Sequence, residues 1–251
     1  IHCESSIHRD LHSGNILYKQ SIDSWFISDL GFCGPADKPS TSIYGNLPYI
    51  APEIINGKEH TFKSDIYSIG MLMWEISSEQ PPFNKYEHDY DLALKIINGM
   101  RPKIISEVPL KYKNLMEQCW DADPSERPDT DTLLQKIREI KSYYQYNPNE
   151  LPQLEAKTDK KIKYAYTGSK LFTSKVHKFE NLFEPKNITE EEQEAFHSKL
   201  YDFNIPKNID DFGQTSNQDS KRISNIIKVD IQNNYYRDTK QPQTGDIDDN
   251  K

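Results

Sequence analysis

Residues 64–79, SDIYSIGMLMWEISSE, restrict the fold more than any other stretch of this sequence. A helix formed by this stretch would carry apolar side chains on every side instead of along one stripe. Such a helix is stable in water only when other elements cover it all round. Ser64 or Asp65 would cap its N-terminus. The pattern therefore predicts a helix buried at the centre of a helical domain.

The elements that would cover this helix are predicted on both sides of it in the chain. Apolar residues keep a helical period over residues 89–98, 110–120 and 129–142, and the last of these begins at a capping Asp or Thr. Two short apolar runs, residues 15–19 and 24–28, are joined by Gln-Ser-Ile-Asp and predict a β-hairpin. The expected fold class is mainly α with a small β-hairpin.

The composition changes near Tyr146, where Lys, Asn, Asp, Gln and Glu replace the apolar runs. A segment of this kind buries too little apolar surface to offset the entropy lost on ordering. We therefore expect a globular domain over residues 1–141 and a largely disordered polar tail over residues 142–251.

One helix is predicted inside this tail, over residues 189–203. Thr189 and Glu192 have the spacing of a capping box, and apolar residues that include Phe196 share one face. An isolated helix of this length is marginally stable. A transient helix in a disordered tail is the favoured interpretation, and docking onto the globular part is the alternative.

Charge and cysteine content exclude several classes of function. The net charge of −8 and the dispersed lysines argue against nucleic-acid binding through phosphate contacts. The three cysteines lie far apart without CxxC spacing, which fits a reducing, cytoplasmic location better than a disulfide scaffold. No stretch approaches the roughly 18 apolar residues of a membrane span.

Oxygen ligands are gathered at one end of the predicted hairpin. Asp10 and Asn15 precede its first strand, and Asp29 follows its second strand, in Ser-Asp-Leu-Gly-Phe. Carboxylate and amide oxygens suit Mg²⁺, which usually takes one or two protein carboxylates and fills its other positions with water and phosphate. The residues therefore suggest a metal–phosphate site.

Five motifs give this chain a resemblance to the protein kinases. HRDLHSGN at 8–15, DLG at 29–31, YIAPE at 49–53, SDIYSIG at 64–70 and CWDADPSERP at 119–128 occur in the order and spacing of that family. The resemblance covers residues 1 to about 141, and the last motif is most similar to the tyrosine kinases and the tyrosine-kinase-like group. It implies the larger, C-terminal lobe of the kinase fold, an α+β structure.

The resemblance also implies an activity and a set of site residues. The expected reaction is transfer of the ATP γ-phosphate to a Ser/Thr or Tyr hydroxyl of a protein in intracellular signalling. By position, Asp10 would accept or orient the substrate hydroxyl, Asn15 and Asp29 would hold Mg²⁺ against ATP, and Leu17 would lie under the adenine. Asp65 would accept backbone N–H bonds from the loop around Asp10.

Regulatory and structural roles follow in the same way. Arg9 would face a phosphorylated residue in the activation segment 29–53, which makes an upstream kinase a further expected partner. Glu53 and Arg127 would form a buried ion pair. The candidate phosphorylation sites are Ser40, Thr41, Ser42 and Tyr44.

The sequence departs from the kinase pattern at the phosphates. His12 stands where Ser/Thr kinases usually place a Lys that contacts the transferring phosphate, and Asn46 stands where they usually place a Thr. Too few residues precede Ile7 for the small lobe, with its Gly-rich loop and Lys, so we expect an inactive fragment of a kinase domain. The alternative is a pseudokinase or lone lobe that acts as a protein-binding module.

Overall fold

Short strands and turns within residues 1–45 precede a bundle of helices, and one further strand and one further helix follow it in the described chain. The computed structural model describes residues 1–35, 43–152, 173–179 and 182–198. The strands are β1 (Ser6–Ile7), β2 (Ile16–Lys19), β3 (Ser24–Ile27), β4 (Gly34–Pro35), β5 (Ile43–Gly45) and β6 (Lys175–His177). The helices are α1 (Pro52–Ile55), α2 (Phe62–Ser78), α3 (Tyr90–Ile97), α4 (Leu110–Cys119), α5 (Thr130–Tyr146) and α6 (Glu190–Ser198).

Helix α2 lies at the centre of the helical core, which we define as residues 47–146. Ile66, Tyr67 and Met71 are each 0% exposed, and α4 packs against the helix. The prediction of a buried central helix is therefore confirmed. The predicted cap is wrong, because Thr61 is the N-cap and Ser64 completes a capping box with it. Asp65 does not cap the helix and instead bonds the loop of residues 8–15.

The other predicted helices of the core are confirmed to within a few residues. Asp89 caps α3 by accepting from the backbone N–H groups of Asp91 and Leu92, and Asp129 caps α5 by accepting from that of Thr132. Helix α5 runs past its predicted end at residue 142 and stops at Tyr146. The stop follows from Pro148, because a proline restricts the residue before it to extended conformations.

The predicted hairpin is confirmed as the antiparallel pair β2–β3. Ile16 pairs with Ile27 and Lys19 pairs with Ser24, and Asp23 adopts a left-handed conformation in the turn. Large apolar side chains on both strands are exposed, including Leu17 and Trp25. The hairpin is thus ordered by its own backbone hydrogen bonds, while its side chains contribute little to the core.

Within the predicted tail, residues 173–179 and 182–198 belong to the same compact unit as the core, Ile1–Tyr201. Strand β6 pairs antiparallel with β5. Farther along, the Lys186 N–H donates to the carbonyl of Ile97 at 3.1 Å. The remaining residues beyond 152, including the predicted helical residues 199–203, lie outside the described ranges.

Docking of the second tail segment depends on a few apolar residues and a close backbone approach. Leu182 and Phe196 pack against the core, and a Cβ at Gly99 would lie 2.8 Å from both the Lys186 carbonyl and Ile188. Gly99 also has a φ of +95°, which other residues rarely adopt. These local contacts order the segment, although its average composition is polar.

Helix α6 confirms the predicted capping box. The Thr189 N–H donates to Glu192 at 2.9 Å, and the Glu192 N–H donates to the Thr189 hydroxyl at 3.3 Å. Gln193 bonds the backbone of Gly99 and Arg101, so the docked alternative describes this helix. Within the described ranges, no helix is both long and apolar enough to cross a membrane.

Candidate active site

Asp65 in the first turn of α2 positions the loop of residues 8–15, which we call the Asp10 loop. Its buried carboxylate accepts from the backbone N–H groups of His8 at 2.8 Å and Arg9 at 3.0 Å. It also contacts His2 at 2.8 Å. Because hydrogen bonds to a buried charged group are the stronger kind, this carboxylate fixes the start of the loop to the helical core.

His8 connects the Asp10 loop to the end of the hairpin. Its Nδ1 accepts from the Asp10 N–H at 3.3 Å, which assigns the proton to Nε2. The Nε2 atom lies 3.1 Å from the carbonyl of Ser28. The imidazole is completely buried, and it holds the backbone of Asp10 next to the strand leading to Asp29.

The hairpin brings the three predicted oxygen ligands to one end. The Asn15 Nδ2 donates to the Asp10 carbonyl at 2.9 Å, and the Ser28 N–H donates to the Asn15 carbonyl at 2.8 Å. Asp29 follows Ser28 with an exposed side chain and a φ of +57°. Since the Nδ2 of Asn15 donates to the Asp10 carbonyl, the side-chain oxygen of Asn15 is the atom that can bind a metal ion.

The Asp10 carboxylate is buried, and it accepts a hydrogen bond from a serine hydroxyl of the tail. Ser174 Oγ donates to Asp10 Oδ1 at 2.8 Å, and His12 Nε2 lies 3.7 Å from Oδ2 and 3.2 Å from Ser174 Oγ. His12 Nδ1 accepts from the Gly14 N–H at 3.1 Å, so its Nε2 carries the proton. The hydrogen bonds therefore run from His12 to Ser174 and on to Asp10.

Tyr44 lies beside this carboxylate, on strand β5. Its ring stacks on Phe32 with centroids 3.7 Å apart. Partial burial raises the pKa of Tyr44, and the negative charges of Asp10 and Asp29 raise it further. The next residue, Gly45, has a φ of +140°, and a Cβ there would lie 3.2 Å from Asp10 Oδ1. Strand β5 thus passes so close to Asp10 that a strand paired with β5 also lies next to the Asp10 carboxylate.

The other predicted site residues lie around this centre. Arg9 donates to the Pro35 carbonyl at 3.0 Å, and its guanidinium lies against Gly34. Leu17 is exposed on β2. The candidate phosphorylation sites Ser40, Thr41 and Ser42 lie outside the described residues. Phosphate binding by Arg9 therefore stays a prediction.

Glu53 and Arg127 lie together in the helical core. Arg127 Nη1 and Nη2 donate to the two carboxylate oxygens of Glu53 at 2.8 and 2.7 Å. Arg127 also donates to backbone carbonyls, among them that of Asp121 at 2.8 Å. Both side chains are almost fully buried, so the pair ties the segment after β5 to the loop before α5.

Sequence reasoning missed Ser174 and the position of Tyr44. The signal for the tail strand was weak: Lys175-Val176-His177 alternates polar and apolar residues within a polar region. Nothing in so short a run indicates a partner strand. Its role became visible only through pairing with β5.

Comparison with known proteins identifies the class of molecule that this fold and site define. Residues 1–137 match the protein kinase domain. The match covers more than half of the chain, and the chain belongs to the protein kinase family.

Individual relatives agree with this assignment. A probable serine/threonine-protein kinase of Dictyostelium discoideum is 32% identical over 61% of this chain and 9% of its own length. The dual specificity protein kinase zakA of the same organism is 35% identical over 56% of this chain and 20% of its own length. Mitogen-activated protein kinase kinase kinase 7 of Drosophila melanogaster is 28% identical over 66% of this chain and 23% of its own length. The chain thus spans less than a quarter of each of these relatives.

Proposed function

We propose that residues 1–141 are the large lobe of a tyrosine-kinase-like protein kinase that transfers the γ-phosphate of ATP to a Ser or Thr hydroxyl. One observation supports this most directly: the buried Asp10 carboxylate accepts a hydrogen bond from a serine hydroxyl at 2.8 Å. A carboxylate at this distance orients the hydroxyl oxygen and receives its proton as the new bond to phosphorus forms. The protein then acts in intracellular signalling, on protein substrates.

Asn15 and Asp29 are the residues that would hold Mg²⁺. One amide oxygen and one exposed carboxylate at the same end of the hairpin form a donor set that Mg²⁺ accepts. Bound there, the metal would neutralise charge on the phosphates of ATP. Leu17, exposed on the adjoining strand, would contact the adenine, and the Nε2–H of His12 points towards the site of transfer.

Transfer also needs groups that cover and align the phosphates. The 251 residues contain no G-x-G sequence. Catalysis of phosphoryl transfer depends almost entirely on positioning and on charge stabilisation. We therefore propose that the 251-residue chain by itself transfers little phosphate and that the product of the complete coding sequence transfers it efficiently.

The test is a radiolabelled ATP assay with a generic Ser/Thr protein substrate. It compares the 251-residue chain, the product of the complete coding sequence, and that product with Asp10→Asn. The substitution should lower the transfer rate at least about a hundredfold, because it removes the proton acceptor while retaining the shape. Asp131→Asn, at an exposed position on α5, is the matched control and should retain the parent rate. Undiminished transfer by the Asp10→Asn protein would contradict the proposal.

A second candidate function is supported by His12 and Asn46. A His in place of the usual Lys brings less positive charge to the phosphate, which is the direction expected for a pseudokinase. An inactive product of the complete coding sequence, with Asp10, Asn15 and Asp29 intact, would favour this protein-binding role.

A further inference from the structure

The segment of residues 173–179, which we call the tail strand, occupies the side of Asp10 that an incoming hydroxyl would use. Its central part, β6, pairs in register with β5: His177 with Ile43, Val176 with Tyr44 and Lys175 with Gly45. This pairing sets Ser174 one residue beyond the ladder, next to the carboxylate. Backbone pairing with an exposed strand edge is a general way in which proteins bind extended peptides.

Side chains on both sides of β6 hold the tail strand in this register. The His177 Nε2 lies 3.1 Å from the Gly45 carbonyl, and its ring stacks on Phe179 at 5.4 Å. His177 is only 7% exposed, whereas its neighbour Val176 is 58% exposed. Lys175 donates to the His88 carbonyl at 3.1 Å. A buried anchor next to an exposed residue is the pattern of a docked strand.

The polar contacts of Ser174 are those of a reacting group. Its hydroxyl donates to Asp10 at 2.8 Å and lies 3.2 Å from His12 Nε2. Tyr44 is a further hydrogen-bond partner of this hydroxyl, so one of its contacts gives way when the oxygen forms a new bond. A segment that only blocked the site would need no hydroxyl at this position.

We propose that Ser174 is a phosphoacceptor of this same chain, presented in cis by the tail strand, an inference that rests on the proposed function. Ser174 Oγ forms a bond to the γ-phosphorus of ATP, and the bond from that phosphorus to the β–γ bridging oxygen breaks. The hydroxyl proton passes to Asp10, and ADP leaves with the electron pair of the broken bond. The products are phosphoserine at position 174 and ADP.

Transfer to Ser174 also changes the docking of the tail strand. A phosphoserine carries close to two negative charges at neutral pH, and these would lie beside the Asp10 carboxylate. Repulsion between like charges favours departure of the tail strand from the site. Activity towards an external protein should therefore rise as Ser174 becomes phosphorylated, and Ser174→Ala should abolish that rise.

The first experiment incubates the product of the complete coding sequence with Mg²⁺ and ATP and locates phosphate by mass spectrometry. Ser174 should acquire phosphate with a first-order rate constant that is unchanged over a hundredfold range of protein concentration. A rate constant that grows with protein concentration would overturn the cis arrangement. The exposed Ser106→Ala variant is the control and should phosphorylate Ser174 at the parent rate.

A matched pair of substitutions tests the tail strand. His177→Ala removes the buried anchor and should slow phosphorylation of Ser174 about tenfold, as expected for the loss of a buried contact and its hydrogen bond. Val176→Ala removes an exposed side chain from the same strand and should have little effect. Equal rates in the two variants would overturn the proposed presentation.

Amide hydrogen exchange of the 251-residue chain without nucleotide gives a readout that does not depend on activity. The β6 amides that bond β5 should be protected in the parent and in Val176→Ala, and should lose protection in His177→Ala. Rapid exchange in the parent would show that the strand is not docked.

An added protein substrate separates failure of this inference from failure of the proposed function. Transfer to the added substrate without phosphate on Ser174 overturns the inference alone and leaves the tail strand as a steric block. If phosphate appears on neither the added substrate nor Ser174, both this inference and the proposed function are overturned.

Discussion

The helical core and the hairpin both carry residues of the candidate site, but they differ in what stabilises them. In the core, α2 is enclosed by neighbouring helices, and an ion pair is buried between Glu53 and Arg127. In the hairpin, the backbone ladder is complete while Leu17, Trp25 and Phe26 remain exposed. The contrast indicates that folding free energy is concentrated in the core, whereas the hairpin mainly holds Asn15 and Asp29 at the edge of the site.

The largest effect is expected from breaking the buried ion pair. Arg127→Ala leaves the Glu53 carboxylate buried without its partner, which should lower the free energy of unfolding by about 3–5 kcal/mol. Urea unfolding followed by tryptophan fluorescence measures this change. The control is Lys58→Ala, because Lys58 and Glu184 form an exposed pair and the loss should stay below about 1 kcal/mol. Similar losses in both variants would contradict the contrast.

The rates at which cysteines are alkylated should also differ strongly between the core and the periphery. Burial raises the pKa of the Cys119 thiol from 9.0 to about 12, so its thiolate fraction is about a thousandfold below that of an ordinary thiol. Cys3 is exposed. Iodoacetamide at pH 8 should therefore modify Cys3 first and reach Cys119 only in urea, as peptide mapping would show. Early modification of Cys119 would mean that the core opens easily.

Truncation of one large apolar side chain in each region tests the comparison directly. Met71 is 0% exposed, and Met71→Ala should lower the free energy of unfolding by about 2–5 kcal/mol because it leaves a cavity in the core. Trp25 is 69% exposed, and Trp25→Ala should change stability by less than about 0.5 kcal/mol. A large loss for Trp25→Ala would show that the hairpin contributes to folding through its side chains. The same urea titration measures both.

The smallest effect concerns pH and His60. Burial lowers the pKa of His60 below 6.5, and the charge of Arg9 lowers it further. Below pH 6.5 the unfolded chain therefore takes up this proton before the folded protein, so stability falls with falling pH. His60→Gln removes this contribution. Between pH 7 and pH 5.5 the parent should lose more free energy of unfolding than the variant, and equal losses would contradict the prediction.

Much of the core could be predicted because its signals are local. The apolar surface of residues 64–79 predicted α2. The capping residue Asp129 predicted the start of α5. Glu53 and Arg127 were named together, and the structure places them 2.7 Å apart. The cap of α2 was missed because Asp65, a plausible cap by position, is used by the backbone of His8 and Arg9 instead.

What the sequence determined by itself is therefore the helices α2 to α6, the hairpin and the motifs that carry Asp10, Asn15 and Asp29. Each depends on periodicity or spacing within short stretches of chain. Only the tertiary structure brought Ser174 to Asp10, across 164 positions in the sequence. A three-residue strand has no local preference for a partner, and its pairing depends on the edge that β5 presents once the core has folded. Average composition did not reveal the contacts of residues 173–179 and 182–198 for the same reason, since a few well-placed residues order these two segments.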